Sequence, residues 1–85
     1  MRDIVEEESY KQRLKELRIG HQRMDEALEA VCIALAKRPD LFPLVPGTNI
    51  RRLRVQGCVG VPTVNIWFTY TKHQVRLLTI EPFSE

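Results

Sequence analysis

Three arginines within four positions, Arg51, Arg52 and Arg54, form the densest run of positive charge in the chain. A guanidinium is planar, always charged, and presents a fork of donors that matches a phosphate. Further along stand Asn65, Trp67 and Arg76. An indole offers a flat surface on which a nucleobase can stack, worth about 1–3 kcal/mol per base. Cationic forks beside a stacking ring are what a protein needs to hold single-stranded RNA. Two further groups could move a proton: Glu81 as a base and His73 as a donor. His21 and His73 are isolated, and no Cys/His spacing suits a zinc site. No metal and no cofactor is expected. Cys32 lies in an apolar helical stripe and reads as a core residue. Cys58, between Gly57 and Gly60, has no histidine nearby to activate it. The Gly57–Gly60 run lacks the lysine and the helix of a phosphate-binding loop.

The whole-chain charge hides this cluster. The 85 residues carry 13 Lys+Arg against 11 Asp+Glu, a formal +2. Residues 1–40 hold eight basic and nine acidic side chains, whereas residues 41–85 hold five and two. Local clustering of one sign points to a polyanionic partner better than the total does. The length predicts one domain with one core. Two cysteines cannot supply a disulfide framework. The acidic start has no apolar run, so no signal peptide is expected. The longest apolar stretch, Ala30 to Ala36, is far short of the roughly 20 residues that span a membrane. These features predict a cytoplasmic protein with reduced thiols and no membrane partner.

The elements that must position the arginines follow from periodicity. Ile4-Val5 suggests a short first strand. Ser9 with Gln12 fits a capping box, and Tyr10, Leu14 and Leu17 mark one face of a first helix that stops near Gly20. A second helix covers about Gln22 to Arg38, with Met24, Leu28, Val31 and Leu35 as its stripe, and Pro39 ends it. The two form a helical hairpin. A loop over 39–49 follows, with Phe42 and Val45 as anchors. The period then changes to two, and strands are predicted at Arg52 to Gln56, Val64 to Tyr70 and Val75 to Ile80. Short connections make them a three-stranded antiparallel meander. The fold class is α+β, with the helices covering one face of the sheet.

Side-chain parity assigns the faces. Either two-residue turn near Thr71-Lys72-His73 puts Arg76 on the face of Asn65, Trp67 and Thr69, opposite either Trp67 or Thr69. Arg52, Arg54 and Gln56 join that face. Val64, Ile66, Phe68, Val75, Leu77, Leu53 and Val55 form the apolar one. The polar face can hold RNA, or it can be charged merely because water covers it. Trp67 with Arg76 can also be a cross-strand cation–π pair without a ligand. Leu78 and Ile80 fall on the polar face by parity, which suggests a partner chain over part of it.

At this point the chain resembles the RelE/ParE superfamily of bacterial toxins. The order of strand, helical hairpin and meander matches over nearly the whole length. The segment Pro46-Gly47-Thr48-Asn49-Ile50-Arg51-Arg52-Leu53-Arg54 is similar to the proline-glycine-threonine run before a basic strand in many members, HigB-like ones included. Val64 to Tyr70 and Val75 to Ile80 sit where the family has its aromatic and last strands. The resemblance implies a ribosome-dependent mRNA endonuclease with a cognate antitoxin protein. Basic side chains on the sheet face would hold mRNA phosphates and stabilise charge during attack by the 2′-hydroxyl. Arg52 falls on a family lysine/arginine position, with Arg54 on the same face. Arg52, Arg54 and Arg76 are the charge stabilisers that remain, and with Glu81 they form the candidate catalytic set. Arg51, Asn65, Trp67 and His73 are the candidate RNA contacts, and neither Glu81 nor His73 is matched to a family position. Asn65 replaces an arginine of RNA-cutting members. Glu81-Pro82-Phe83-Ser84-Glu85 stands where such members carry more basic or aromatic residues. A ParE-like inhibitor of DNA gyrase and an inactive antitoxin-binding module are the alternatives. A homodimer is left open.

Overall fold

The structure is a computed structural model that describes residues 1–83. Its elements run β1 (Asp3–Glu6), α1 (Glu8–Gly20), α2 (Met24–Lys37), a 3-10 turn (Pro39–Leu41), β2 (Arg51–Val55), β3 (Val64–Tyr70) and β4 (Gln74–Pro82). The expected meander is present, but the sheet is larger and mixed. Its order is β1-β4-β3-β2, with β1 parallel to β4 and the other neighbours antiparallel. This corrects the three-stranded antiparallel sheet predicted from periodicity. The helical hairpin carries the chain from β1 across the sheet to β2 at the opposite edge, and the meander then returns β4 to pair in parallel with β1, since parallel neighbours need a long connection.

The core lies between the helices and one sheet face. Tyr10 and Leu14 of α1 and Met24, Leu28 and Leu35 of α2 are buried with Val64, Ile66, Phe68, Val75, Leu77 and Ile80. Val31, Cys32, Leu53 and Val55 pack at the margin. Phe42 anchors the loop after α2, its ring edge-on to Phe68 with centroids 6.1 Å apart.

Two local expectations are corrected. Ser9 and Gln12 form no capping box: α1 begins at Glu8, and its N-cap Glu7 makes no side-chain cap bond. The Glu7 N–H is taken by the Leu77 carbonyl at 2.9 Å, which starts the helix earlier. Ser9 then sits in the first turn and its hydroxyl donates to Thr79 Oγ1 at 3.3 Å.

The second correction concerns parity. Thr69 lies opposite Arg76 and Phe68 opposite Leu77, but Trp67 lies opposite Thr79. Leu78 is an extra residue, a β-bulge. Beyond it every side chain of β4 changes face. Ile80, expected on the polar face, is wholly buried in the core. It therefore gives no sign of a covering partner. Glu81 comes to the polar face in its place. Gly57, before the turn into β3, is required by close approach, because a Cβ there would stand 2.5 Å from the Val61 carbonyl oxygen and 2.6 Å from the Thr63 nitrogen.

Candidate nucleic-acid interface

The sheet face away from the core is built of transverse rows, because residues paired across strands point the same way. One row runs Arg52, Trp67, Thr79 and ends at Ser9 of α1. A second runs Arg54, Asn65, Glu81 and ends at Arg13, whose guanidinium lies 3.2 Å from the Glu81 carboxylate. Nearer the β3–β4 turn, Thr69 faces Arg76, whose Nε lies 3.1 Å from the Glu7 carboxylate. The helix α1 thus runs beside the free edge of β4 past the point where β1 stops, and it closes each row.

The rows bring Arg52, Arg54, Asn65, Trp67, Arg76 and Glu81 onto one face. They do not leave all of them equally available. Arg76 and Glu81 are each held by an opposite charge from the α1 region, and both pairs are half-exposed. Such pairs contribute about 0.2–1 kcal/mol to stability. Their larger effect is to cancel one positive and one negative charge on the face. Asn65 is buried and accepts a hydrogen bond from Arg54 Nε at 3.4 Å. The Arg54 guanidinium also lies over the Phe83 ring, 4.1 Å from its centroid. Asn65 and Phe83 therefore orient Arg54. The pair of Trp67 with Arg76 does not form, since the register puts Arg52 and Thr79 beside the indole.

Arg52 differs from the others. It is exposed, and among the described residues its side chain has no hydrogen bond or ion pair. Together with the half-buried Trp67 it lines a cleft of about 220 Å³ whose other wall is Pro43, Leu44, Val45 and Pro46. That wall exists because the chain before β2 folds back along its edge. Leu44 forms a bridge with Arg51, and the Arg52 N–H donates to the Pro43 carbonyl at 3.0 Å.

Arg51 and His73 lie elsewhere. Arg51 points to the opposite face, in line with Phe68 and Leu77. Its guanidinium donates to the carbonyls of Phe42 and Asp40 and lies 5.5 Å from the centroid of the Tyr70 ring. Arg2 lies 5.3 Å from the same centroid. Strand alternation alone separates Arg51 from Arg52, although the two are adjacent in sequence. His73 is exposed in the β3–β4 turn, beyond the Tyr70–Val75 pair, while Glu81 sits opposite Asn65 at the far end. At about 3.4 Å per residue the two are more than roughly 17 Å apart along the strands. They cannot serve one scissile bond as base and acid.

Sequence reasoning missed the cleft wall and the α1 partners. Pro43, Leu44 and Pro46 read as an ordinary proline loop, and nothing in the local pattern couples Glu7 to Arg76 or Arg13 to Glu81. It also missed a basic depression at the turn end of the sheet, lined by Arg2, Lys37, Lys72 and His73. These residues come together through the parallel pairing of β1 and a hydrogen bond from the Arg2 N–H to the Ala36 carbonyl. Among the described residues no three His, Cys, Asp or Glu side chains converge on a metal-sized site. The Cys32 thiol is pushed up by burial and, less, by the Glu6 charge, which disfavours the thiolate. Cys58 is exposed in its turn. Among the described residues no helix is long and apolar enough to cross a membrane. The chain matches no protein-family model and no curated protein.

Proposed function

We propose that the protein is a RelE/ParE-type toxin of a bacterial toxin–antitoxin pair, which binds single-stranded mRNA on the outer sheet face and cleaves it on the ribosome. The observation that carries the reading is Arg52, an exposed cation whose side chain has no partner among the described residues, beside Trp67 on a face that also holds Arg54. In this reading Arg52 and Arg54 hold the non-bridging phosphate oxygens. The 2′-hydroxyl oxygen attacks the adjacent phosphorus and gives up its proton to a base, and the 5′ oxygen leaves and takes a proton from water. The products are a 2′,3′-cyclic phosphate and a 5′-hydroxyl. Glu81, oriented by Arg13 and in the same row as Arg54, is the carboxylate that takes the first proton. Two cations against the charge that develops in the transition state can supply several kcal/mol. The cognate antitoxin would cover this face or the helices, and the site of action would be the cytoplasm. Induced expression in a bacterial host should arrest growth, and primer extension should show cuts within translated messages. Toxicity undiminished by Arg52→Ala would remove Arg52 from the mechanism.

A second reading draws on the ion pairs at Arg76 and Glu81, which leave few free charges for catalysis. It makes the chain a binding protein: a gyrase inhibitor, or a module whose main partner is its antitoxin. Growth arrest with intact messages, an SOS response and blocked supercoiling would favour the former. Tight antitoxin binding without toxicity would favour the latter.

A further inference from the structure

We infer that the cleft between Trp67 and the Pro43–Pro46 segment holds a single unpaired nucleobase, with the adjoining phosphate on Arg52. The inference rests on the RNA-binding reading of the outer sheet face and names the place on it where a base enters. Three observations support it. The first is chemistry. The lining comprises two prolines, two aliphatic residues, one indole and one guanidinium, with no carboxylate. Flat apolar walls with one cation at the edge suit a planar ring that carries an anion.

The second is size. About 220 Å³ accommodates one ring system and its immediate surroundings. A base of a single strand is free to turn into such a cleft, whereas one held in a duplex is stacked and paired. The third is rigidity. Proline rings lock φ at Pro43 and Pro46. The wall is tied down at several points: Arg52 N–H to the Pro43 carbonyl at 3.0 Å, Val45 N–H to the Ile50 carbonyl at 2.8 Å, Thr48 hydroxyl to the Val45 carbonyl at 2.8 Å, and Ile50 N–H to Thr48 Oγ1 at 3.0 Å. Gly47, with φ +77°, permits the tight turn that brings the wall back. The cleft is thus formed before a ligand arrives, and little ordering cost opposes binding. Apart from Arg52 and the indole N–H, the lining side chains offer no group that reads a base edge. Recognition here is by stacking and tolerates all four bases.

Trp67 is the only tryptophan of the chain, so its fluorescence reports on the cleft directly. The test uses the full chain and 5′-labelled RNA hexamers of uridylate or adenylate at low salt, with anisotropy and tryptophan emission read together. Both strands should bind, and emission should be quenched along the same curve as anisotropy rises. An abasic hexamer should bind about five- to 150-fold more weakly, the loss of about 1–3 kcal/mol of stacking. Leu44→Glu, at a half-exposed position where folding can be verified by circular dichroism, should abolish quenching and weaken binding at least about fivefold. Equal affinity for the abasic strand, or binding without any change in emission, would overturn the base site while leaving the RNA reading of the face intact. Failure of every strand to bind would overturn both together.

Discussion

Glu81 stands directly opposite Asn65 across β3 and β4, and the bulge at Leu78 brings it there. A regular strand would pair Asn65 with Ile80 and turn the carboxylate toward the core. One inserted residue thus exchanges an aliphatic side chain for an acid on the candidate RNA face.

The bulge makes Ile80 and Leu78 unequal. Ile80 is fully buried and Leu78 is half-buried. Ile80→Ala should cost about 2–5 kcal/mol, the range for a buried aliphatic truncation. Leu78→Ala should cost clearly less. Urea midpoints of the two variants check this, and equal losses would contradict the register.

Glu7 cancels the charge of Arg76 on the outer face. Glu7→Gln should release that cation for phosphate. Affinity for single-stranded RNA should rise, and the salt dependence of binding should steepen by about 0.7 in log–log slope. Because the pair is half-exposed, stability should change by less than about 1 kcal/mol. Anisotropy titrations over a salt series provide the measurement.

Arg51 and Arg52 are neighbours with different work. Arg51→Gln removes hydrogen bonds that hold the Asp40 and Phe42 carbonyls, and should lower stability by about 1–3 kcal/mol. RNA affinity should hardly change. Arg52→Gln should do the reverse, weakening RNA binding with little effect on the urea midpoint.

Alkaline pH should loosen the core. Burial raises Tyr10 and Cys32 above their ordinary values of 10.0 and 9.0, and their mutual proximity adds to the shift at Tyr10. In the unfolded chain both groups lose their protons near those ordinary values, while the folded chain retains them. Unfolding then releases protons, so stability is complete below about pH 9 and falls as pH rises. The slope is at most about 1.4 kcal/mol per pH unit for each group. Urea midpoints between pH 8 and pH 11 should show the fall, and Tyr10→Phe should flatten the upper part.

Much of the fold is legible in the local pattern. The stripes Tyr10–Leu14 and Met24–Leu28–Leu35 and the alternation of Val64 to Tyr70 reach the core as expected, because a buried face imposes its own period on the residues that fill it. The placement of Arg76 opposite Thr69 was one of two registers that side-chain parity allowed. Parity failed beyond Leu77, since a bulge is one unpaired residue with no signature in an apolar run.

The amino-acid pattern by itself therefore determined the elements, the meander and the sharing of one face by Arg52, Arg54, Trp67 and Arg76. These depend on periods of two and 3.6 residues that act over short range. Tertiary structure alone decided that, among the described residues, Arg76 is paired with a carboxylate and Arg52 is left without a side-chain partner. It joined β1 to β4, ran α1 along the sheet edge, and so set Glu7 beside Arg76 and Arg13 beside Glu81. It also folded Pro43–Pro46 back over β2 to wall the cleft at Trp67. The charge pairs join residues 68 and 69 positions apart, and the cleft joins a loop to a strand about 20 positions further on; no local pattern encodes either.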